Sequence, residues 1–287
     1  MESKAVHTVA IIQARLGSTR LPGKVLLPLC GKAMLWHIVQ RVRAVPTVSD
    51  VCVAMTEHVR DWPIRIFCYA ENIPYCVGSE RDVLDRLYHA AIAMKADIVV
   101  RVTGDCPCVD PGVIAAVIEM QRQNSFDLVG AATGAGAVGV EGHHFPDGLD
   151  VECYSFACLA RLWREAKALQ DREHVSLYAV RNPDLFDIGR VFAPADYGHH
   201  RWTVDHAEDF QLVAAIYEGL YRGDSHFTME EVLVYLKEHP EVYGLNRQYV
   251  GQEGYANLWG KHHDEIDDIN AYHPETDDNC RPPRPGG

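Results

Sequence analysis

Three side chains that carry permanent positive charge, Arg15, Arg20 and Lys24, stand close together in the run Ile-Ile-Gln-Ala-Arg-Leu-Gly-Ser-Thr-Arg-Leu-Pro-Gly-Lys, residues 11 to 24. Arg and Lys offer charge-assisted donors that phosphate oxygens accept. The small residues Gly17, Ser18 and Gly23 let backbone N–H groups approach an anion closely. The chain as a whole is acidic, with 27 Lys and Arg against 40 Asp and Glu and a formal net charge of -13, so a local cluster of cations needs a reason. The run is neither a P-loop, which needs its Gly, Lys and Ser or Thr in one tight stretch, nor the G-x-G-x-x-G dinucleotide fingerprint. It reads as a triphosphate-binding loop; the alternative is a surface loop whose cations are simply solvated.

Two carboxylates offer the complementary chemistry. Ile-Val-Val-Arg-Val-Thr-Gly-Asp (98 to 105) reads as a buried strand ending in Asp105, and Arg-Trp-Thr-Val-Asp (201 to 205) as a short apolar segment ending in Asp205. Mg²⁺ is usually held by one or two carboxylates together with phosphate oxygens, and Asp105 and Asp205 fit that pair. Each has a structural alternative, an Asx turn for Asp105 and a helix cap for Asp205. Asp110, directly before Pro111, fits an N-cap better than a ligand.

The elements that must position these groups follow from hydrophobic periodicity. Strands are expected at 6 to 14, 51 to 56, 75 to 77 and 97 to 103, alternating with helices at 34 to 45, 62 to 71, 82 to 94 and 111 to 123. Such alternation argues for a parallel sheet covered by helices on both faces, with the first, second and fourth strands ending at one rim. Ligands of open α/β sheets bind at that rim. Beyond it come a strand at 126 to 132, a Gly/Ala-rich loop at 133 to 142, and a turn at 146 to 148 leading into another strand. Helices are expected at 156 to 167, 172 to 182, 207 to 221 and 229 to 238, with short strands at 186 to 192 and 201 to 204. One large domain is expected over 1 to 245. The extension 246 to 287 turns acidic and ends in Pro-Pro-Arg-Pro-Gly-Gly, so disorder is expected from about 262.

Composition narrows the classes. An acidic chain argues against a general nucleic-acid surface. Nine scattered cysteines suggest reduced thiols, and the Cys106/Cys108 pair has no second pair at zinc spacing. Without an h-region or an apolar run of membrane length, a cytoplasmic protein with no membrane span is expected.

Six segments in order then carry a resemblance: 11 to 26, Gly-Ser-Glu-Arg-Asp-Val-Leu (78 to 84), Arg-Val-Thr-Gly-Asp-Cys-Pro (101 to 107), Phe-Pro-Asp-Gly-Leu-Asp-Val-Glu (145 to 152), Arg-Glu-His-Val (172 to 175) and Arg-Trp-Thr-Val-Asp (201 to 205). Together they resemble the spore coat polysaccharide biosynthesis protein F family, which belongs with the cytidylyltransferases that make CMP-sialic acid and CMP-deoxyoctulosonate. Departures are Ala33 and Cys108, where the family usually has proline and a leucine-like residue; neither touches the chemistry.

The resemblance implies a Rossmann-like, glycosyltransferase-A-like nucleotidyltransferase, a three-layer α/β/α fold with a mainly parallel sheet, using CTP and Mg²⁺. Arg15, Arg20 and Lys24 would grip the triphosphate, with Asp105 and Asp205 at the metal. Gln13, Ala14, Gly17, Ser18, Thr56 and Ser79 would complete the nucleotide site, and Asp82 and Arg86 could reach its rim, although they equally suit an N-cap and a solvated face. A small anionic acceptor would meet Asp147, Asp150, Glu152, Arg172 and His174, where Asp147 also suits a turn and His174 a structural role. Relatives often dimerise, and 145 to 182 is the stretch expected to carry a homodimer surface. A nucleotide-sugar-dependent glycosyltransferase remains an alternative, although no D-x-D motif is present, as does a non-catalytic nucleotide-binding relative.

Overall fold

The computed structural model describes residues 6–135, 141–223 and 225–252, and the backbone of 280–281. Its first strand, Thr8–Ala14 (β1), sends alternate side chains into two different cores. Ala10, Ile12 and Ala14 pack into one, Val9 and Ile11 into the other. Because side chains alternate along a strand, an unbroken apolar run belongs to a strand covered on both faces. Asp50–Thr56 (β4) divides likewise, with Val51, Val53 and Met55 on one face and Cys52 and Ala54 on the other. So does Ile98–Thr103 (β6), with Val100 and Val102 opposed to Val99.

These strands join Tyr75–Gly78 (β5), Leu128–Ala131 (β7), Val151–Ser155 (β8), Ile188–Val191 (β9) and Cys280–Arg281 (β10) in one sheet of order β10-β5-β4-β1-β6-β8-β7-β9. β5, β4, β1 and β6 are parallel. β8 runs against both β6 and β7, β7 and β9 are parallel, and β10 runs against β5. Pro28–Leu29 (β2) and Lys32–Ala33 (β3) form a small separate hairpin.

The first core is closed by Met34–Arg43 (α1), Trp62–Ala70 (α2), Pro111–Asn124 (α4), Ala207–Leu220 (α8) and Met229–Glu238 (α9), through residues such as Ile38, Ile64, Ile114, Ile216 and Leu236. The second is closed by Val83–Ala93 (α3), Phe156–Glu165 (α5) and Leu177–Arg181 (α7), through Leu87, Leu159 and Ala179. Burying each Leu or Ile stabilises the fold by about 1.5–3 kcal/mol. This is the expected mainly parallel sheet between two helical layers. Asp82 and Asp110 act as N-caps, Asp82 accepting from the Asp85 N–H and Asp110 from the N–H groups of Gly112 and Val113.

Three expectations need correction. Residues 201 to 204 are not a strand; only an isolated bridge between Asp147 and Arg201 remains there. The helix expected at 172 to 182 is two, Leu169–His174 (α6) and α7, separated at Val175 with φ 54° and ψ -62°. Val175 is drawn fully into the second core, and the Ser176 N–H closes a γ-turn on the His174 carbonyl at 2.6 Å. Such a turn is strained, most of all for a β-branched residue. Finally, seven described cysteines are free thiols, but Cys76 on β5 is disulfide-bonded, and Cys280 stands opposite it in register.

Past Pro240–Tyr243 (α10) the chain stays packed: Asn246, first residue of the expected extension, is buried. The region expected to be disordered lies outside the described residues apart from 280–281, as do residues 136–140 of the Gly/Ala-rich loop.

Candidate active site

Lys24 sits at the start of a single 3-10 turn, just after Gly23 with φ 74° has reversed the loop leaving β1. Its Nζ donates to Asp105 Oδ2 at 2.8 Å, to Asp205 Oδ1 at 2.7 Å and to the Val204 carbonyl at 2.7 Å. Asp105 arrives from the end of β6 and Asp205 from the segment before α8, so one ammonium knots three distant stretches at the sheet's rim. Only 7 % of Lys24 is exposed. Burial disfavours its charge, yet the two carboxylates outweigh burial and its pKa rises above the ordinary 10.5. Burial likewise works against the Asp105 carboxylate, but the charge and hydrogen bond of Lys24 prevail and hold it at about 2.

The loop carrying Asp105 is fixed from below. Arg41, buried under α4, donates to the carbonyls of Val109 at 2.6 Å and Phe227 at 2.7 Å, and the Tyr217 hydroxyl donates to the Pro107 carbonyl at 2.6 Å. Asp205 is fixed from the side. Its Oδ1 also takes Arg20 at 2.8 Å, and its Oδ2 takes Arg201 Nη2 at 3.0 Å. The cap of α8 is His206, completed by Asp209, so Asp205 is released from the capping role and faces the cleft.

A cleft of about 400 Å³ opens beside this knot. Its walls bring together Gln13, Ala14, Arg15, Gly17, Ser18, Arg20, Lys24, Asp105, His174 and Asp205 from the expected set. Arg15 makes no hydrogen bond or ion pair among the described residues. His174 is held below its ordinary pKa chiefly by burial, so it is neutral at neutral pH. Arg86 also lines the cleft. It is 4 % exposed rather than on a solvated face, its Nε has no partner, and burial followed by the charge of Arg15 lowers it to about 10.

Other expected residues lie elsewhere. Thr56 is buried at the end of β4 and donates to Asp61, which in turn accepts the Leu16 N–H at 2.7 Å; it anchors the cationic loop from behind. Ser79 is spent on the turn into α3, accepting the Asp82 N–H at 3.2 Å. Arg172 is buried and paired with Asp82 at 2.7 Å, tying α6 to α3. Asp147 is held by Arg201 at 2.8 Å, and Asp150 accepts from the Thr133 hydroxyl at 2.5 Å and the Gly148 N–H at 2.8 Å. Glu152 accepts from Arg101 at 2.6 Å, the Tyr154 hydroxyl at 2.6 Å and the Ser176 hydroxyl at 2.5 Å, so both its oxygens are engaged. Four of the five residues expected to meet an acceptor are thus engaged by neighbouring groups outside the cleft lining, and of that set His174 alone lines the cleft.

Several functional neighbours went unassigned in the sequence. Arg101 lines the cleft and joins Gln13, at 2.9 Å, to Glu152. Arg201, 3 % exposed, gathers Asp147, Asp205 and Asp209. Arg101 had a signal: a lone arginine inside an otherwise apolar strand is costly unless paired. Arg60 had none. Its guanidinium lies so close over Gly17 that an added Cβ would meet it at 2.5–2.7 Å, and it pairs with Glu80.

Asp105 and Asp205 meet at the Lys24 ammonium, and no cluster of three or more His, Cys, Asp or Glu suited to a metal occurs among the described residues. Two carboxylates at a phosphate-binding loop fit Mg²⁺, which takes the rest of its shell from water and substrate phosphates.

A Rossmann-like parallel sheet with a cationic loop and a carboxylate pair at its carboxyl rim defines a nucleotidyltransferase. More narrowly, the chain belongs to the cytidylyltransferase family, whose profile matches residues 9–252. It is 32 % identical over 216 residues to the spore coat polysaccharide biosynthesis protein SpsF of Bacillus subtilis, covering 72 % of this chain and 85 % of that one. Its fold matches a cytidylyltransferase from Leptospira borgpetersenii with TM-score 0.75 at 24 % identity, over 84 % and 98 % of the two chains. It also matches a CMP:2-keto-3-deoxy-manno-octonic acid synthetase solved with CTP, TM-score 0.58 at 20 % identity, over 74 % and 99 %. No helix among the described residues is long and apolar enough to cross a membrane.

Proposed function

We propose that this enzyme transfers CMP from CTP to a small anionic acceptor, a sugar acid, phosphosugar or phosphonate, with release of pyrophosphate and with Mg²⁺ as cofactor. The observation that carries this reading is the convergence of Lys24, Asp105 and Asp205 beside Arg15 and Arg20 at one end of a single cleft. Family membership supplies the choice of CTP, and the SpsF resemblance supports a place in surface-glycan biosynthesis.

In this reading an acceptor oxygen attacks the α-phosphorus in line. A new P–O bond forms as the bond to the bridging oxygen breaks, and pyrophosphate leaves with that electron pair. Arg15, Arg20 and Lys24 hold the triphosphate and neutralise the charge that develops on the leaving group. Asp105 and Asp205 would hold Mg²⁺, which when bound polarises phosphoryl oxygens and orients the α-phosphate. His174, Glu173 and Arg101 also line the cleft, and in this reading the acceptor binds beside them. An acceptor that is already a phosphate or phosphonate anion needs no base; a sugar hydroxyl needs its pKa lowered.

The test is CTP-dependent pyrophosphate release with a panel of sugar acids, phosphosugars and phosphonates, alongside thermal-shift comparison of CTP, UTP, ATP and GTP with and without Mg²⁺. Stabilisation by a purine nucleotide in preference to CTP, or consumption of a nucleotide sugar without pyrophosphate, would sink the proposal.

A further inference from the structure

The knot at the rim has a property beyond holding three segments together. The three protons of the Lys24 ammonium are matched by three acceptors at 2.7–2.8 Å, two of them the carboxylates that the proposed reaction assigns to a divalent ion. Asp205 is engaged at both oxygens, Oδ1 by Lys24 and Arg20 and Oδ2 by Arg201. Arg20 and Arg201 each reach Asp205, whereas Lys24 bridges Asp205 to Asp105. A divalent ion ligated by both carboxylates would have to stand about 2.0–2.1 Å from their oxygens, in the volume the ammonium fills. Two cations do not share that volume.

We infer that Lys24 is an internal stand-in for the divalent ion: in the nucleotide-free protein its ammonium closes the carboxylate pair to metal, and it leaves only when a polyphosphate draws it away. This rests on reading the site as a metal-assisted nucleotidyl-transfer centre. The protein alone offers two carboxylates and no third metal-suited side chain among the described residues, a poor exchange for a strongly held hydration shell. A triphosphate changes both sides of that balance. Its oxygens accept from Lys24 in place of the carboxylates, and they complete the ion's shell. Metal and nucleotide therefore enter together, and free metal is excluded beforehand.

The test is titration of the nucleotide-free full-length protein with Mn²⁺ alone, followed by loss of the free-ion electron paramagnetic resonance signal. K24M is expected to gain a site at least about tenfold tighter than any in the wild type, a difference of about 1.4 kcal/mol. K24M/D105N should lose that gained site, and K24R, which keeps a cation between the carboxylates, should behave as wild type. Thermal unfolding checks that K24M is folded, and K24Q replaces it if it is not. Equal Mn²⁺ affinity in wild type and the neutral variant, or a gained site in K24R, would overturn the inference. Because no nucleotide or acceptor is present, this outcome is independent of the base or acceptor the enzyme uses, which pyrophosphate release tests separately.

Discussion

Arg201 Nη1 donates to Asp147 Oδ2 at 2.8 Å, and this pair docks the turn at 146–149 onto the segment that delivers Asp205. The bond is reinforced by backbone exchange, with the Asp147 N–H donating to the His200 carbonyl at 3.0 Å and the Trp202 N–H to the Asp147 carbonyl at 2.6 Å. Arg201 then reaches Asp205 and Asp209, and Asn246 donates to both the Arg201 carbonyl and Asp209. A buried guanidinium among three carboxylates is thus the support on which the second metal-suited carboxylate stands.

Removing that support should be costly. Arg201→Met leaves Asp147, Asp205 and Asp209 facing one another in a buried site, a loss of about 3–5 kcal/mol. Arg201→Lys should recover only part of it, because an ammonium cannot fork between carboxylates as a planar guanidinium does. Urea unfolding of both variants measures the difference; indistinguishable midpoints would refute the support role.

Asp105→Asn keeps the side chain's shape while removing the charge that Lys24 uses and that the proposed Mg²⁺ would use. Pyrophosphate release from CTP should fall by about a hundredfold or more with the fold retained. Steady-state rates beside a melting curve separate the two effects, and unchanged turnover would remove Asp105 from the metal role.

Gly148 has φ 105°, and an added Cβ would lie 2.5 Å from the backbone of both Trp202 and Thr203. Neither can yield, so Gly148→Ala should cost about 2–4 kcal/mol in chemical denaturation. At Gly17 the expectation reverses. The obstructing group is the mobile end of Arg60, so Gly17→Ala should leave stability within about 1 kcal/mol of wild type while weakening CTP binding. In an Arg60→Ala background the same substitution should have a smaller effect on calorimetric affinity, and an undiminished one would show that Arg60 is not the mediator.

Acid sensitivity should come from histidine before it comes from the knot. His200 is lowered from the ordinary 6.5 to about 4 by burial and by His199. A depressed histidine favours the unfolded chain once protons become available, so its contribution is present above 6.5 and is lost as pH falls towards 4. Asp105, held at about 2, loses its contribution only as pH falls from the ordinary 3.8 through that value. Lys24, raised above 10.5, keeps its contribution below 10.5 and loses it as pH rises through its higher folded value. The melting temperature should therefore drop between pH 7 and pH 5, and drop less in His200→Gln.

The sequence by itself determined the sheet's core strands and their rim, because apolar runs such as Val9 to Ile12 and Ile98 to Val100 can be satisfied only when covered on both faces, and that condition is local. It also determined the chemical types at the site: fixed cations after β1, and carboxylates ending two segments. Tertiary structure alone decided which of them meet. Arg172, Glu152, Asp147 and Asp150 looked like ligands because they are polar residues near the presumed acceptor side, but buried charges seek partners: Arg172 meets Asp82 at the cap of α3, Glu152 meets Arg101 on β6, Asp147 meets Arg201, and Asp150 accepts from the Thr133 hydroxyl after β7. Arg101 passed the other way, from an unassigned strand position to the cleft wall, and Arg86, for which the nucleotide rim and a solvated face stood as alternatives, lies at the cleft. The break at Val175 was equally hidden, since helical periodicity continues through it while the pull of the second core does not appear in local spacing. Pairing of charges depends on distances across the fold, 81 residues for Lys24 with Asp105 and 181 for Lys24 with Asp205, and no local pattern encodes them.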